Sequence, residues 1–218
     1  MTEVPDDLST ELLLTQSLPD LELAMRHVTE RLDKVVWREI GRLIEYRIAA
    51  IDWNGEGDPE SDLLWLTPAD WMTPDTHKGH FEEDAWFEVA IDFGAENEDE
   101  EEDWSDLATF TGASSYGNRM MLCFKQQVVT ARPARTVLAA QPGEALDQLR
   151  ALGFEIDQRT MLIAHPVDLD AETVGRAFAD GVFEEALSPL RRALDAAERA
   201  VPLLAPLVAK LRDARKSA

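Results

Sequence analysis

Between Asp52 and Asp106 the chain carries 20 acidic residues and a single basic one, Lys78. No protein interior holds that many like charges without prohibitive desolvation, so most of this quarter has to lie at the surface. Its densest part, GAENEDEEEDWSD over residues 94–106, has eight acids in thirteen positions. It reads as a solvated hairpin loop whose far end is anchored by Trp104. The asymmetry runs through the whole chain. Residues 1–110 hold 30 acids and 7 bases, whereas residues 111–218 hold 13 acids and 14 bases. A net charge of −22 repels nucleic acid and anionic membranes and attracts basic protein surfaces. Direct nucleic-acid binding is therefore not expected, and a basic protein surface is the expected partner.

At 218 residues, 45% of them hydrophobic, the chain can close a core of its own. The start, MTEVPDDLSTELLL, has neither a basic n-region nor a continuous apolar run, and no segment reaches the length of a membrane span. One cysteine, Cys123, allows no internal disulfide. These features set a cytoplasmic expectation with no membrane association.

Periodicity supplies the elements. Residues 1–19 read as an extended arm and 20–50 as a long helix capped by Asp20, with Leu21, Met25, Val28, Leu32, Val35, Val36, Leu43 and Tyr46 on one stripe. AWFEVAIDF, 85–93, alternates cleanly: Phe87, Val89, Ile91 and Phe93 face one way, Trp86, Glu88, Ala90 and Asp92 the other. Further strands are expected near Leu63–Leu66, 106–112, 118–126 and 159–166, and a helix over PGEALDQLRA closed by Gly153. Asp170 caps a helix that ends at Gly181, and 183–214 is helical with breaks at Pro189, Pro202 and Pro206. The expected fold is α+β: a mostly antiparallel sheet covered by helices, with a long N-terminal helix and a C-terminal helical segment. The arm (1–19), the domain (20–170) and the C-terminal helices packed on it (171–218) divide the chain.

Five of the six tryptophans, all but Trp37, fall between 52 and 106. Indoles ringed by carboxylates suit a basic protein partner, because arginine and lysine stack on their faces. The contact set expected on this ground is Trp71, Trp104 and the run Glu98, Asp99, Glu100, Glu101, Glu102 and Asp103. A non-enzymatic binding protein follows, of inhibitor, immunity, antitoxin-like or DNA-mimic type. A structural subunit joined through its C-terminal helices is a further alternative.

Glu39 sits in the middle of the long helix's apolar stripe and needs a partner there, such as Arg42, or a shifted pKa. The order of a helix with a central Glu, three strands, a helix and a strand over residues 20–166 resembles the core of the PD-(D/E)XK nucleases. That resemblance implies a metal-dependent hydrolase in which Glu39, with Asp92 or Glu88, holds the metal and Lys125 serves as the lysine. Cys123 in C-F-K then stands where the family carries an acid, and a thiol is a poor ligand for magnesium, so the resemblance implies an inactive relative. His77 and His80 in HKGH are the candidate zinc ligands, although their spacing fits no zinc signature. No P-loop, G-x-G-x-x-G or G-x-S-x-G occurs, and no cofactor is expected.

Overall fold

The computed structural model describes residues 7–58, 63–75, 80–92, 105–113 and 117–216. A helix, α1 (Asp7–His27), passes through one π turn (Val28–Leu32) into α2 (Asp33–Ile51). Three strands follow, β1 (Asn54–Glu56), β2 (Leu64–Thr67) and β3 (Met72–Asp75), then β4 (His80–Glu83) and β5 (Ala85–Asp92). The short helix α3 (Asp106–Phe110) precedes β6 (Arg119–Gln126), α4 (Ala131–Ala139) and α5 (Gly143–Ala151). β7 (Glu155–Asp157), β8 (Leu162–Pro166), α6 (Ala171–Asp180) and α7 (Ser188–Lys216) complete the chain.

Six strands form one antiparallel sheet in the order β1-β2-β5-β6-β8-β7, and β3 and β4 make a separate hairpin. The fold is α+β, with the core on one face of the sheet. Leu64 and Leu66, Phe87 and Val89, Met120, Leu122 and Phe124, and Ile163 project onto that face. Val36, Ile40 and Ile44 of α2 cover it together with Leu190, Leu194, Leu204, Leu207 and Leu211 of α7. α2 runs close to the sheet edge: a Cβ on Gly55 would lie 2.3 Å from the Trp65 carbonyl oxygen and 2.6 Å from Ile48. Only glycine fits there.

The expected stripe of the N-terminal helix is interrupted. Leu21 and Met25 are 46% and 47% exposed and Tyr46 is 73% exposed, while Val36, Ile40 and Ile44 form the buried row. A π turn carries one residue more than an α turn, so it rotates the face beyond Leu32 away from the stripe before it. The arm expected over 1–19 is also corrected over its described part, because residues 7–19 are helix that passes through Pro19. Residues 106–112, expected as a strand, contain α3 instead. Ser105 caps this helix, its Oγ accepting from Leu107 N at 3.1 Å and Ala108 N at 3.4 Å. Local capping overrides the apolar alternation. The breaks expected at Pro202 and Pro206 do not occur, and α7 runs unbroken for 29 residues. Both prolines lie on its exposed side, so the carbonyls they release face water while Leu204, Leu207 and Val208 hold the helix to the core. The apolar face of α7 is thereby committed to the core.

Asp33 joins α2 to α3. Its Oδ1 accepts from Ser105 Oγ at 2.9 Å and from Leu107 N at 3.0 Å. Burial pushes this carboxyl above its ordinary value of 3.8, against the opposing pull of those hydrogen bonds. Just above 3.8 the folded chain therefore retains a proton that the unfolded chain releases, and Asp33 costs stability as pH rises through that window. Asp33→Asn keeps an oxygen acceptor but cannot ionise. Denaturant titrations should show the stability of the wild type relative to this variant increasing as pH falls from about 7 toward about 4. A flat or opposite trend would show that burial does not govern this carboxyl.

Candidate partner-binding face

The second face of the sheet carries the side chains that β5 directs away from the helices. In the strand register Trp65 stands opposite Glu88, and Glu88 opposite Cys123, while Glu56 faces Trp65 on the outer side. Trp86 is paired with Lys125 and lies two residues along β5 from Glu88, the register partner of Trp65. Both indoles are half-buried. Trp86 Nε1 donates to Glu88 Oε2 at 2.9 Å, which fixes the ring against the sheet and turns a carboxylate toward it. Leu63, Trp65, Glu83, Trp86 and Gln127 line a hollow of about 260 Å³. Gln127 Nε2 donates to the Glu83 carbonyl at 2.6 Å, tying the floor to the end of β4. Beyond Glu88 the face becomes small and apolar, with Met121, Cys123 and Ala164 buried beside Ala90 and Leu162. Cys123 is a packing residue here.

Two half-open aromatic faces next to carboxylates can hold a guanidinium or ammonium group by stacking and charge together. A larger hollow, about 520 Å³, lies at the end of α7 and is lined by Thr73, Asp84, Arg212, Arg215 and Lys216. There Asp84 is buried and accepts from Thr73 Oγ1 and from Arg212 Nε, the latter at 2.7 Å. This second arrangement is a structural clamp whose acceptor is already engaged.

The residues expected to form a contact set fare differently. Trp71, only 2% exposed, packs its ring 5.7 Å from Phe87 and 5.6 Å from Phe124. It anchors the 3-10 turn before β3 in the core, which corrects its assignment to a partner surface. Glu98, Asp99, Glu100, Glu101, Glu102, Asp103 and Trp104 lie outside the described residues. So does His77, and of His80 the structure describes only its backbone place opposite Asp75. Trp37 and Trp53 serve the core, Trp37 donating to Asp106 at 2.7 Å and Trp53 stacking on Phe87 at 6.2 Å.

Glu39 has found the partner its position demanded. At 18% exposed, it accepts from Arg42 at 2.8 Å and Arg38 at 3.3 Å. Because α2 covers the core face and Glu88 lies on the other, the sheet itself separates Glu39 from Glu88 and from Lys125, which pairs with Trp86. Asp92 stands opposite Arg119 in the register. The nuclease-like set is thus not brought together, and among the described residues no group of three His, Cys, Asp or Glu is placed to hold a metal ion. Arg119 is bound to Glu155 of β7 at 2.8 Å. Among the described residues, the bridges between the two halves are Arg47 to Asp195, at 2.8 Å, and to Glu198, and Arg212 and Arg215 to Asp84.

The outward parity of Trp86 and Glu88 was legible in the alternation of 85–93. Trp65 was not, because its place beside them depends on a strand register that no local pattern specifies. Among the described residues no helix is long and apolar enough to cross a membrane. Compared with known proteins, the chain matches no family model, no curated protein and no solved structure.

Proposed function

We propose that the protein is a non-enzymatic binding factor that occupies a basic surface of a protein partner through the outer face of its sheet. The observation that carries this reading is the grouping of Trp65, Trp86 and Glu83 around one hollow, with Glu88 bonded to Trp86 beside it. Arginine or lysine side chains of the partner stack on the indoles and bond the acids, and the −22 charge draws the partner in from a distance. Factors of this kind act as inhibitors, antitoxins or mimics of nucleic acid, by covering a site that normally holds phosphate.

A defined probe tests it: calorimetry with an arginine- and lysine-rich peptide, in about 50 and about 500 mM salt, which spans roughly a threefold change in screening length. Trp65→Ala with Trp86→Ala should weaken binding about 10-fold or more, since each cation–π contact is worth about 0.5–1 kcal/mol. Glu88→Gln should weaken it severalfold, and high salt by at least 10-fold. Equal affinity for the wild type and the double tryptophan variant would remove this face from the reading. Affinity indifferent to salt would remove its electrostatic premise.

A further inference from the structure

Every described side chain from Thr15 to His27 is exposed. Among the described residues, α1 packs chiefly on the π turn that joins it to α2. Yet its sequence is not that of a solvated helix. Leu18, Leu21, Met25, Val28 and Leu32 recur at alternating steps of three and four, the a/d seam of a coiled coil, and the π turn keeps this seam apart from the row that enters the core at Val36. Leu18 is 58% exposed, Leu21 46% and Met25 47%. A single helix of this length with a proline at position 19 does not hold its conformation in water by propensity alone. The seam therefore has an occupant.

We infer that the occupant is α1 of a second copy of this chain, packed antiparallel. Charge selects both the partner and the direction. Two chains of net −22 repel one another over most of their surface, whereas residues 15–32 carry three acids, Asp20, Glu22 and Glu30, against Arg26 and Arg31, a net of −1. Asp20 and Glu22 come first along the helix and Arg26 and Arg31 later. Reversing the second copy sets the acidic end of each helix beside the basic end of the other and opposes the two helix dipoles. It also puts the two acidic bodies at opposite ends of a rod roughly 30 Å long, beyond a screening length of about 8 Å in physiological salt. A parallel pair would hold the bodies side by side.

Sedimentation equilibrium of the full chain at about 100 μM should give a dimer. Leu21→Ser with Met25→Ser should raise the dissociation constant about 100-fold or more, because four seam side chains per dimer are lost. Leu23, 64% exposed and off the seam, provides the control: Leu23→Ser should leave the dimer unchanged. The seam variants lie outside the body, so its thermal transition should be unaltered and a folding defect is told apart from lost association. For direction, spin labels on Gln16→Cys in a Cys123→Ala background should be separated by more than about 20 Å in the dimer. A monomeric wild type would overturn the assignment and leave the seam to a foreign helix. A dimer that survives the seam substitutions would place the interface elsewhere, and a short label distance would overturn the antiparallel arrangement.

Discussion

Phe87→Ala should destabilise the protein by about 3–5 kcal/mol, a large part of the roughly 5–15 kcal/mol that holds a typical domain together. Phe87 is fully buried at the centre of β5, and four aromatic rings converge on it. Trp53 stacks on it at 6.2 Å, Trp71 approaches at 5.7 Å, Phe124 at 6.1 Å and Phe154 at 6.4 Å. These rings come from the segment before β1, the turn before β3, β6 and the segment before β7, so one truncation opens a cavity that no single element can close. Aromatic contacts beyond simple area burial add to the cost. Urea denaturation at constant pH measures it. Phe87→Leu should lose about half as much, since it refills part of the volume. Tyr46→Ser, at a site 73% exposed, should stay within about 0.5 kcal/mol of the wild type. A loss below about 1 kcal/mol for Phe87→Ala would mean that the aromatic cluster is not the core, and a large loss for Tyr46→Ser would restore the uninterrupted stripe.

That contrast marks where sequence reasoning ends. The alternation of 85–93 identified Phe87 as an inward residue and Trp86 and Glu88 as outward ones, because a pleated strand leaves no third choice. Asp170 and Gly181 bounded α6 as read: Asp170 accepts from Thr173 N at 2.8 Å and Gly181 adopts a φ of 72°. Capping chemistry is local, and so is its signature. Most of the failures are non-local, the local cap of α3 by Ser105 being the exception. One π turn redirected the long helix, and Tyr46 went from core to solvent. α4 carries no clear apolar period in ARPARTVLA, where two arginines and a proline interrupt small residues, and its buried face, Ala134 and Leu138, is set by packing against α7. Trp71 was placed at a surface on composition, yet composition cannot distinguish an indole that stacks on a partner from one that pins a turn. Trp65 and Trp86 come to share one hollow only through the register of β2 on β5.

Arg212→Ala should cost about 2–4 kcal/mol, more than Asp84→Ala, although the two residues form one ion pair. Asp84 is held 128 residues away in sequence from its partner, which donates from Nε at 2.7 Å and also donates to the Asp70 carbonyl at 2.9 Å. The carboxylate side chain is 5% exposed and the Arg212 side chain 32%. Removing the guanidinium leaves a buried charge with Thr73 and a distant Arg215 at 3.9 Å. Removing the carboxylate lets a half-open guanidinium turn to water, at a cost of about 1–2 kcal/mol in lost hydrogen bonds. The double variant should therefore lose less than the two single losses together, with a coupling of about 1 kcal/mol or more in a double-mutant cycle. Equal single losses that simply add would show that the pair is solvated and contributes nothing. The clamp has a second consequence. The Asp84 backbone accepts from Gln127 N at 3.1 Å and donates to the Trp71 carbonyl at 2.8 Å, and both Gln127 and the adjacent Glu83 line the tryptophan hollow. Loosening Arg212 should accordingly weaken the basic peptide severalfold without touching it, while Arg47→Ala, which breaks a bridge from α2 to α7 on the core side of the sheet, should leave that affinity unchanged. If both variants bind alike, Asp84 holds the helix but not the hollow.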